Sequence, residues 1–250
     1  MQTDAPNSPL NTSSAVQVFR REDAFMTITT CIFDAYGTLF DVASAARRKA
    51  EQPGQGALAE VWAGLAEDWR RKQLEYSWLR AITGEHVPFW EVTQDALDWA
   101  MERHGLGDRE LREELLALYW QLAPYREVPK LLAQLKALGK TCAILSNGSP
   151  DMLEGAVDSA GIGLYLDAVL SVEEVGVFKP ARAVYDMVGA RFGTDPAEVL
   201  FVSSNGWDAA GAAGYGFTTA WVNRAGLPVD RLPARPGHIL TDLTTIPELL

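Results

Sequence analysis

Four stretches of this chain close an apolar run with polar or charged side chains. They are Asp34-Ala35-Tyr36-Gly37-Thr38, Ser146-Asn147-Gly148, Ser171 onward to Lys179, and Ser203-Ser204-Asn205-Gly206-Trp207-Asp208. Together they offer carboxylates, a lysine, hydroxyls and amides. A carboxylate, with a reference pKa of about 3.9, is ionised at neutral pH and can attack carbon without a base to activate it. Taken alone, each stretch has an ordinary structural explanation. A strand-end Asp often caps the next helix, Ser/Asn-Gly is common turn chemistry, and a lysine before proline can be a solvated turn residue. Their joint placement makes them a candidate site, and the surrounding elements decide that placement.

The segment TITTCIFDAYG combines β-branched and aromatic residues and stops at Asp-Ala-Tyr-Gly, which predicts a buried strand, Ile28 to Phe33, running into a loop. From about Val42 to Leu122 the apolar residues recur at three- and four-residue steps, as at Leu58, Val61, Trp62, Leu65, Trp69, Leu74, Trp78 and Leu79. That block reads as helical throughout. After Pro124 helix and strand alternate: TCAILSNG, LDAVLS, EVLFVSSNG and TTAWVN read as strands, with helical segments between them. Alternating β and α units predict a parallel sheet with helices on both faces. The expected fold is therefore α/β, a doubly wound, Rossmann-like parallel-sheet core with an inserted helical cap domain. Residues 27–42 and 125–250 would form the core, 43–124 the cap, and 1–26 a disordered tail. In such sheets ligands bind beyond the carboxyl ends of the strands, where the four polar stretches fall.

The chain of 250 residues is long enough for a sizeable core, and its 48% hydrophobic and 22% charged composition is that of a globular protein. A formal net charge of −11 disfavours nucleic acid and anionic membranes as partners. No uninterrupted apolar stretch approaches the roughly 18 residues of a membrane span. The polar, Ser/Thr/Pro-rich first 25 residues lack the apolar run of a secretory signal, and Met26 is a second candidate start. Cys31 and Cys142 lack metal-ligand spacing and read as a reduced, cytoplasmic pair. His86, His104 and His238 lie scattered through segments that read as helical or loop, without ligand spacing.

The motifs FDAYGTLFDV, WRRKQLEYSWLRA, ILSNGSPDML, VFKP and LFVSSNGWDAAGA, in that order between Ile28 and about Ala220, resemble the haloacid dehalogenase superfamily. Within it the chain is similar to the hydrolytic L-2-haloacid dehalogenases. Asp-x-x-x-Thr alone marks only the superfamily; Tyr36 and Ser-Ser-Asn-Gly-Trp-Asp are more specific. The resemblance implies that Asp34 is the nucleophile. It would displace halide from a short-chain (S)-2-haloacid, form an aspartyl ester, and be restored by water with release of an (R)-2-hydroxy acid. Phosphatases of the superfamily carry a second aspartate where this chain has Tyr36, and commonly Gly-Asp where it has Ser203-Ser204. Halide departs as an anion and needs no proton, and a monocarboxylate needs no dication. No metal and no cofactor are therefore expected.

The remaining roles follow from the same resemblance. Arg70 would receive the departing halide, with Asn147 and the face of Trp207 completing its cradle. Ser146 would bind the substrate carboxylate and Lys179 orient Asp34, to which Thr38 would hydrogen-bond. Tyr185, Ser203, Asn205 and Asp208 would form the network that fixes Lys179 and serves ester hydrolysis, Tyr185 also counting among the substrate-binding residues. Asp208 could activate the water or only pair with Lys179. Tyr36, Leu74, Phe89 and Trp207 would wall the substrate side chain. Arg71 stands where relatives carry glutamine, and would either enter the pocket or face water. The implied partners are a haloacid and halide, and the Trp-rich cap leaves room for a homodimer. Two rivals remain: a magnesium-dependent phosphatase or phosphonatase of the same superfamily, and an idle binding protein on the same scaffold.

Overall fold

Strand β1 (Thr30–Phe33) is buried along its whole length, as a strand covered on both faces must be. It is central to a six-stranded sheet in the order β3-β2-β1-β4-β5-β6, with β2 (Thr141–Ser146), β3 (Ala168–Ser171), β4 (Val199–Ser203), β5 (Thr218–Val222) and β6 (His238–Leu240). Every neighbouring pair is parallel. The chain moves outward from β1 to β2 and β3, then returns to β4 on the other side. That reversal opens a crevice beyond the carboxyl ends of β1 and β4, where Asp34 and Ser203 to Asp208 follow. This computed structural model describes Met1 and residues 27–250 except 53 and 55, so the expectations for residues 1–26 fall, Met1 apart, outside the described residues.

Four helices stand between β1 and β2 before the core resumes: α1 (Ala43–Ala50), α2 (Gly56–Thr83), α3 (Phe89–Arg103) and α4 (Arg109–Leu118). They pack mainly on one another, α2 most extensively against α3. The core helices are α5 (Val128–Ala137), α6 (Pro150–Ala160), α7 (Arg182–Phe192) and α8 (Gly206–Tyr215). Between α2 and α3, Trp69 Nε1 donates to Thr93 O at 2.8 Å and Gln73 Nε2 donates to Thr93 Oγ1 at 3.0 Å. Tyr119 OH donates to Gln73 Oε1 at 3.0 Å, which fixes the roll of α2 about its axis.

Two expectations need correction. The strands read from sequence stop at TTAWVN, with His238 expected in helix or loop; instead His238 opens β6, a parallel edge strand. Three residues are too few for a periodic signal, and Ile239 is half exposed at the edge. Cys31 and Cys142 are aligned neighbours on β1 and β2, both free and buried, and burial pushes both thiols up to about 12. No helix of the described residues is long and apolar enough to cross a membrane.

Candidate active site

Asp34 extends the central strand by one bond, its N–H donating to Val202 O at 2.9 Å, before the chain turns. The turn needs Gly37: its φ is +85°, and a Cβ there would lie 2.9 Å from Ser204 Oγ. Thr38 is thereby brought back so that its Oγ1 donates to Asp34 Oδ2 at 2.9 Å, while Ser204 N–H donates to Thr38 Oγ1 at 2.8 Å. Asn205 Nδ2, just beyond β4, donates to the same Oδ2 at 3.1 Å. Lys179 Nζ donates to Oδ1 at 3.2 Å. One carboxylate oxygen thus faces two neutral donors and the other an ammonium.

Lys179 is 1% exposed and bridges two carboxylates, with Asp208 Oδ2 at 2.9 Å on its far side. Burial alone would depress the lysine pKa, but Asp208 and Asp34 outweigh it and hold the ammonium above its ordinary value. Burial pushes Asp208 upward, and Lys179 only partly opposes this. Tyr185 OH donates to Asp208 Oδ1 at 2.9 Å, and burial first, then the Asp208 charge, raises that phenol. Removing the lysine would leave two buried carboxylates facing each other, a loss on the order of 3–5 kcal/mol.

Helix α2 supplies the opposite wall. Trp62, Ala66, Arg70, Leu74 and Trp78 stand four residues apart and form one row on its surface. Arg70 Nη2 donates to Asn205 Oδ1 at 3.2 Å, so one amide links the guanidinium to the nucleophile. Trp78 meets Trp207 edge-on at 5.3 Å. Tyr36 rests against Gly148, where a Cβ would approach its ring to 2.7 Å. A small cavity of about 10 Å³ is lined by Asp34, Tyr36, Arg70, Leu74, Phe89, Ser146, Asn147, Lys179, Asn205 and Trp207. Two buried donors of this lining, Tyr36 OH and Trp207 Nε1, have no hydrogen-bond partner among the described residues.

The expected site residues thus fall into two layers. Ten line the cavity, while Thr38, Ser203, Tyr185 and Asp208 stand behind them. Tyr185, expected among the substrate-binding residues, does not line the cavity; its hydroxyl donates to Asp208 instead. Ser203 does not reach Asp34; its Oγ accepts the Asn205 N–H at 3.1 Å. The side chain bonded to Arg70 is Asn205 rather than Asn147, whose Oδ1 accepts the Lys179 N–H at 3.0 Å. Ser146 Oγ lines the cavity and accepts the Gly148 N–H at 3.1 Å. Arg71 faces water: it pairs with Asp68 at 2.8 Å and Glu75 at 3.3 Å over the Trp99 ring. One residue along a helix is a turn of about 100°, so Arg70 and Arg71 cannot share a face.

Sequence reasoning missed Ser204, which holds Thr38, and a clasp between the loops after β2 and β3 and the start of α3. Glu173 Oε1 accepts the N–H of Phe89, the first residue of α3, at 3.0 Å and bonds Ser149 Oγ, which accepts the Trp90 N–H at 3.0 Å. The first N–H groups of a helix have no intrahelical acceptors, and a carboxylate there also suits the helix dipole. Nothing local in the sequence announces these pairings, which span 84 and 59 residues. Because Phe89 lines the cavity, Glu173→Ala should raise KM severalfold in steady-state kinetics. The lost cap is worth about 1 kcal/mol, which lowers Tm by about 2–4 °C. Unchanged KM and Tm would remove the clasp from the site's support.

A family model for haloacid dehalogenase-like hydrolases matches residues 28–216, from the start of the sheet through α8. (S)-2-haloacid dehalogenase 1 of Pseudomonas sp. (strain CBS-3) is 42% identical over 224 residues, covering 89% of this chain and 96% of that protein. The chain belongs to the haloacid dehalogenase family. Among solved structures, an L-2-haloacid dehalogenase matches at 40% identity with a TM-score of 0.83, covering 89% of this chain and 98% of that one. The Xanthobacter autotrophicus L-2-haloacid dehalogenase with chloropropionic acid covalently bound matches at 38% identity and a TM-score of 0.78, covering 89% of this chain and 98% of that one. The family match spans both the strand-end loops and the helices between β1 and β2.

Proposed function

We propose that this enzyme hydrolyses short-chain (S)-2-haloacids to (R)-2-hydroxy acids and halide through an ester on Asp34. The observation that carries the reading is the chain Asp34–Asn205–Arg70, which holds a carboxylate and a guanidinium on the walls of one small cavity. Oδ2 already faces two neutral donors, so it is suited to become the ester carbonyl and then the oxyanion of its hydrolysis. Oδ1 is left to attack the halogen-bearing carbon from behind. The carbon–halogen electrons leave with the halide, and Arg70 receives the charge. Ser146 takes the substrate carboxylate, with Asn147 beside it, and the unpartnered donors of Tyr36 and Trp207 add to the polar inventory of the pocket. Leu74 and Phe89 bound the substrate's alkyl group.

Esterification removes the charge of Asp34 and leaves Lys179 paired with Asp208 alone. Water attacks the ester carbonyl, and the Lys179–Asp208 pair takes one of its protons and passes it to the departing alkoxide, which leaves as the hydroxy acid. Asp34 re-ionises by releasing the other. Over one cycle haloacid and water give hydroxy acid, halide and one proton. Both Asp208 oxygens are engaged and the residue stands behind the cavity, which favours its acting through Lys179 rather than on water directly. We read the helices of 43–124 as a cap whose role is to exclude bulk water from this step, and the exposed Leu79 and Ile82 near the end of α2 as support for a homodimer.

A positive charge between the two carboxylates is already supplied by Lys179, at 3.2 and 2.9 Å, which supports metal-independent chemistry over a magnesium-dependent phosphatase. Halide release from L- and D-2-chloropropionate, each with and without EDTA, tests this. We expect turnover of the L form alone, unchanged by chelation. A magnesium requirement, or equal use of both enantiomers, would overturn the reading.

A further inference from the structure

The reaction cavity is narrow: its volume is about 10 Å³ and Asp34 is 6% exposed. That space is on the scale of one water, so substrate reaches Asp34 only when a wall moves. Beside it lies a second, larger chamber of about 440 Å³ between α2 and the strand ends. The two share Tyr36, Arg70 and Asn205 as a common partition. On the four-residue row of α2, Trp62, Ala66 and Arg70 face the chamber, while Arg70 and Leu74 face the reaction cavity. Adjacent members of that row are about 6 Å apart along the axis, just over one helical turn.

Of the shared partition, Tyr36 is packed among Phe40, Phe89 and Tyr119, and Asn205 is bonded to Asp34. The side-chain bond found for Arg70 is the one to Asn205, at 3.2 Å, and its long side chain is the member best able to swing. Rotamer changes of such a chain are fast compared with turnover. The chamber suits a small anion with an apolar tail. Trp62, Trp69 and Tyr125 give it apolar walls, and Arg224, held by Glu127 at 2.7 Å and by the Tyr125 ring at 3.7 Å, gives it a fixed guanidinium. Asp41, paired with Arg47 at 3.3 Å, and the exposed Glu67 also line it.

We propose that this chamber is the passage by which the haloacid reaches Asp34 and the halide leaves, that Arg70 is its gate, and that Ala66 sets the size of substrate that passes. The proposal rests on the dehalogenation reading of the neighbouring site. Ala66 touches none of the reacting groups, so a larger side chain there obstructs passage one turn before the gate.

The test compares wild type with Ala66→Trp across chloroacetate, 2-chloropropionate and 2-chlorobutyrate, reading kcat/KM by halide release, with circular dichroism and melting as fold controls. We expect a loss that grows with chain length, from about threefold for chloroacetate to a hundredfold or more for chlorobutyrate. Ala63→Trp, at the exposed rim of the same chamber, should show the same trend more weakly, and it carries the test if Ala66→Trp does not fold. A loss of equal size across the series, or none, would overturn the passage while leaving the dehalogenation reading intact. A wild type inactive on all three substrates would overturn that reading and the passage with it.

Discussion

Asp34→Asn should fold with little change in melting temperature and release halide at least about 10⁴-fold more slowly than wild type, the scale seen when a nucleophile is deleted. The substitution keeps the shape and leaves Lys179 its stronger partner, Asp208, at 2.9 Å. The Asn oxygen can still accept from Thr38 and Asn205, while its NH₂ group would then meet the Lys179 ammonium, a modest local penalty. What is lost is the nucleophile, since a neutral amide does not displace halide. Activity within tenfold of wild type would mean that another group attacks the substrate.

Arg70→Ala should lower kcat by about 10²–10³-fold, comparable to removing one preorganised donor from a developing anion. Halide gains its full charge only as the bond breaks, so the loss belongs to the transition state and KM should change far less. Arg70→Lys should recover little, because a compact ammonium does not reproduce the planar fork that reaches Asn205 at 3.2 Å. Melting should scarcely move, as among the described residues the guanidinium has one side-chain hydrogen bond. A kcat near wild type in the alanine variant would return Arg70 to a structural role.

The architecture was legible because its signals are local. Continuous apolar runs mark β1, β2 and β4, helical periodicity marks the segments between them, and the strand-end rule picks the loops. β6 escaped because three half-exposed residues carry no period. At the site, resemblance and strand-end position together gave the cavity-lining residues, but not which of them touch. The partner of Arg70 depends on how the Asn147 and Asn205 amides are oriented, and each orientation is set by a residue distant in sequence, Lys179 in one case and Asp34 in the other. Whether Arg71 or Arg70 faces inward depends on the roll of α2. Its buried stripe includes the polar Gln73 and Ser77, so apolar periodicity alone points only vaguely to the inner face. The Glu173–Ser149 clasp joins segments that no short-range pattern connects.

The central claim is that the oxygen delivered to the substrate comes from Asp34. A single turnover in isotopically labelled water, with enzyme in excess over L-2-chloropropionate, tests it most directly. Covalent catalysis predicts label on Asp34, found by mass spectrometry of the peptide that contains it, and almost none in the first lactate formed. Water attacking the substrate carbon directly, with Asp34 as general base, would place the label in the lactate at once and leave the protein unlabelled.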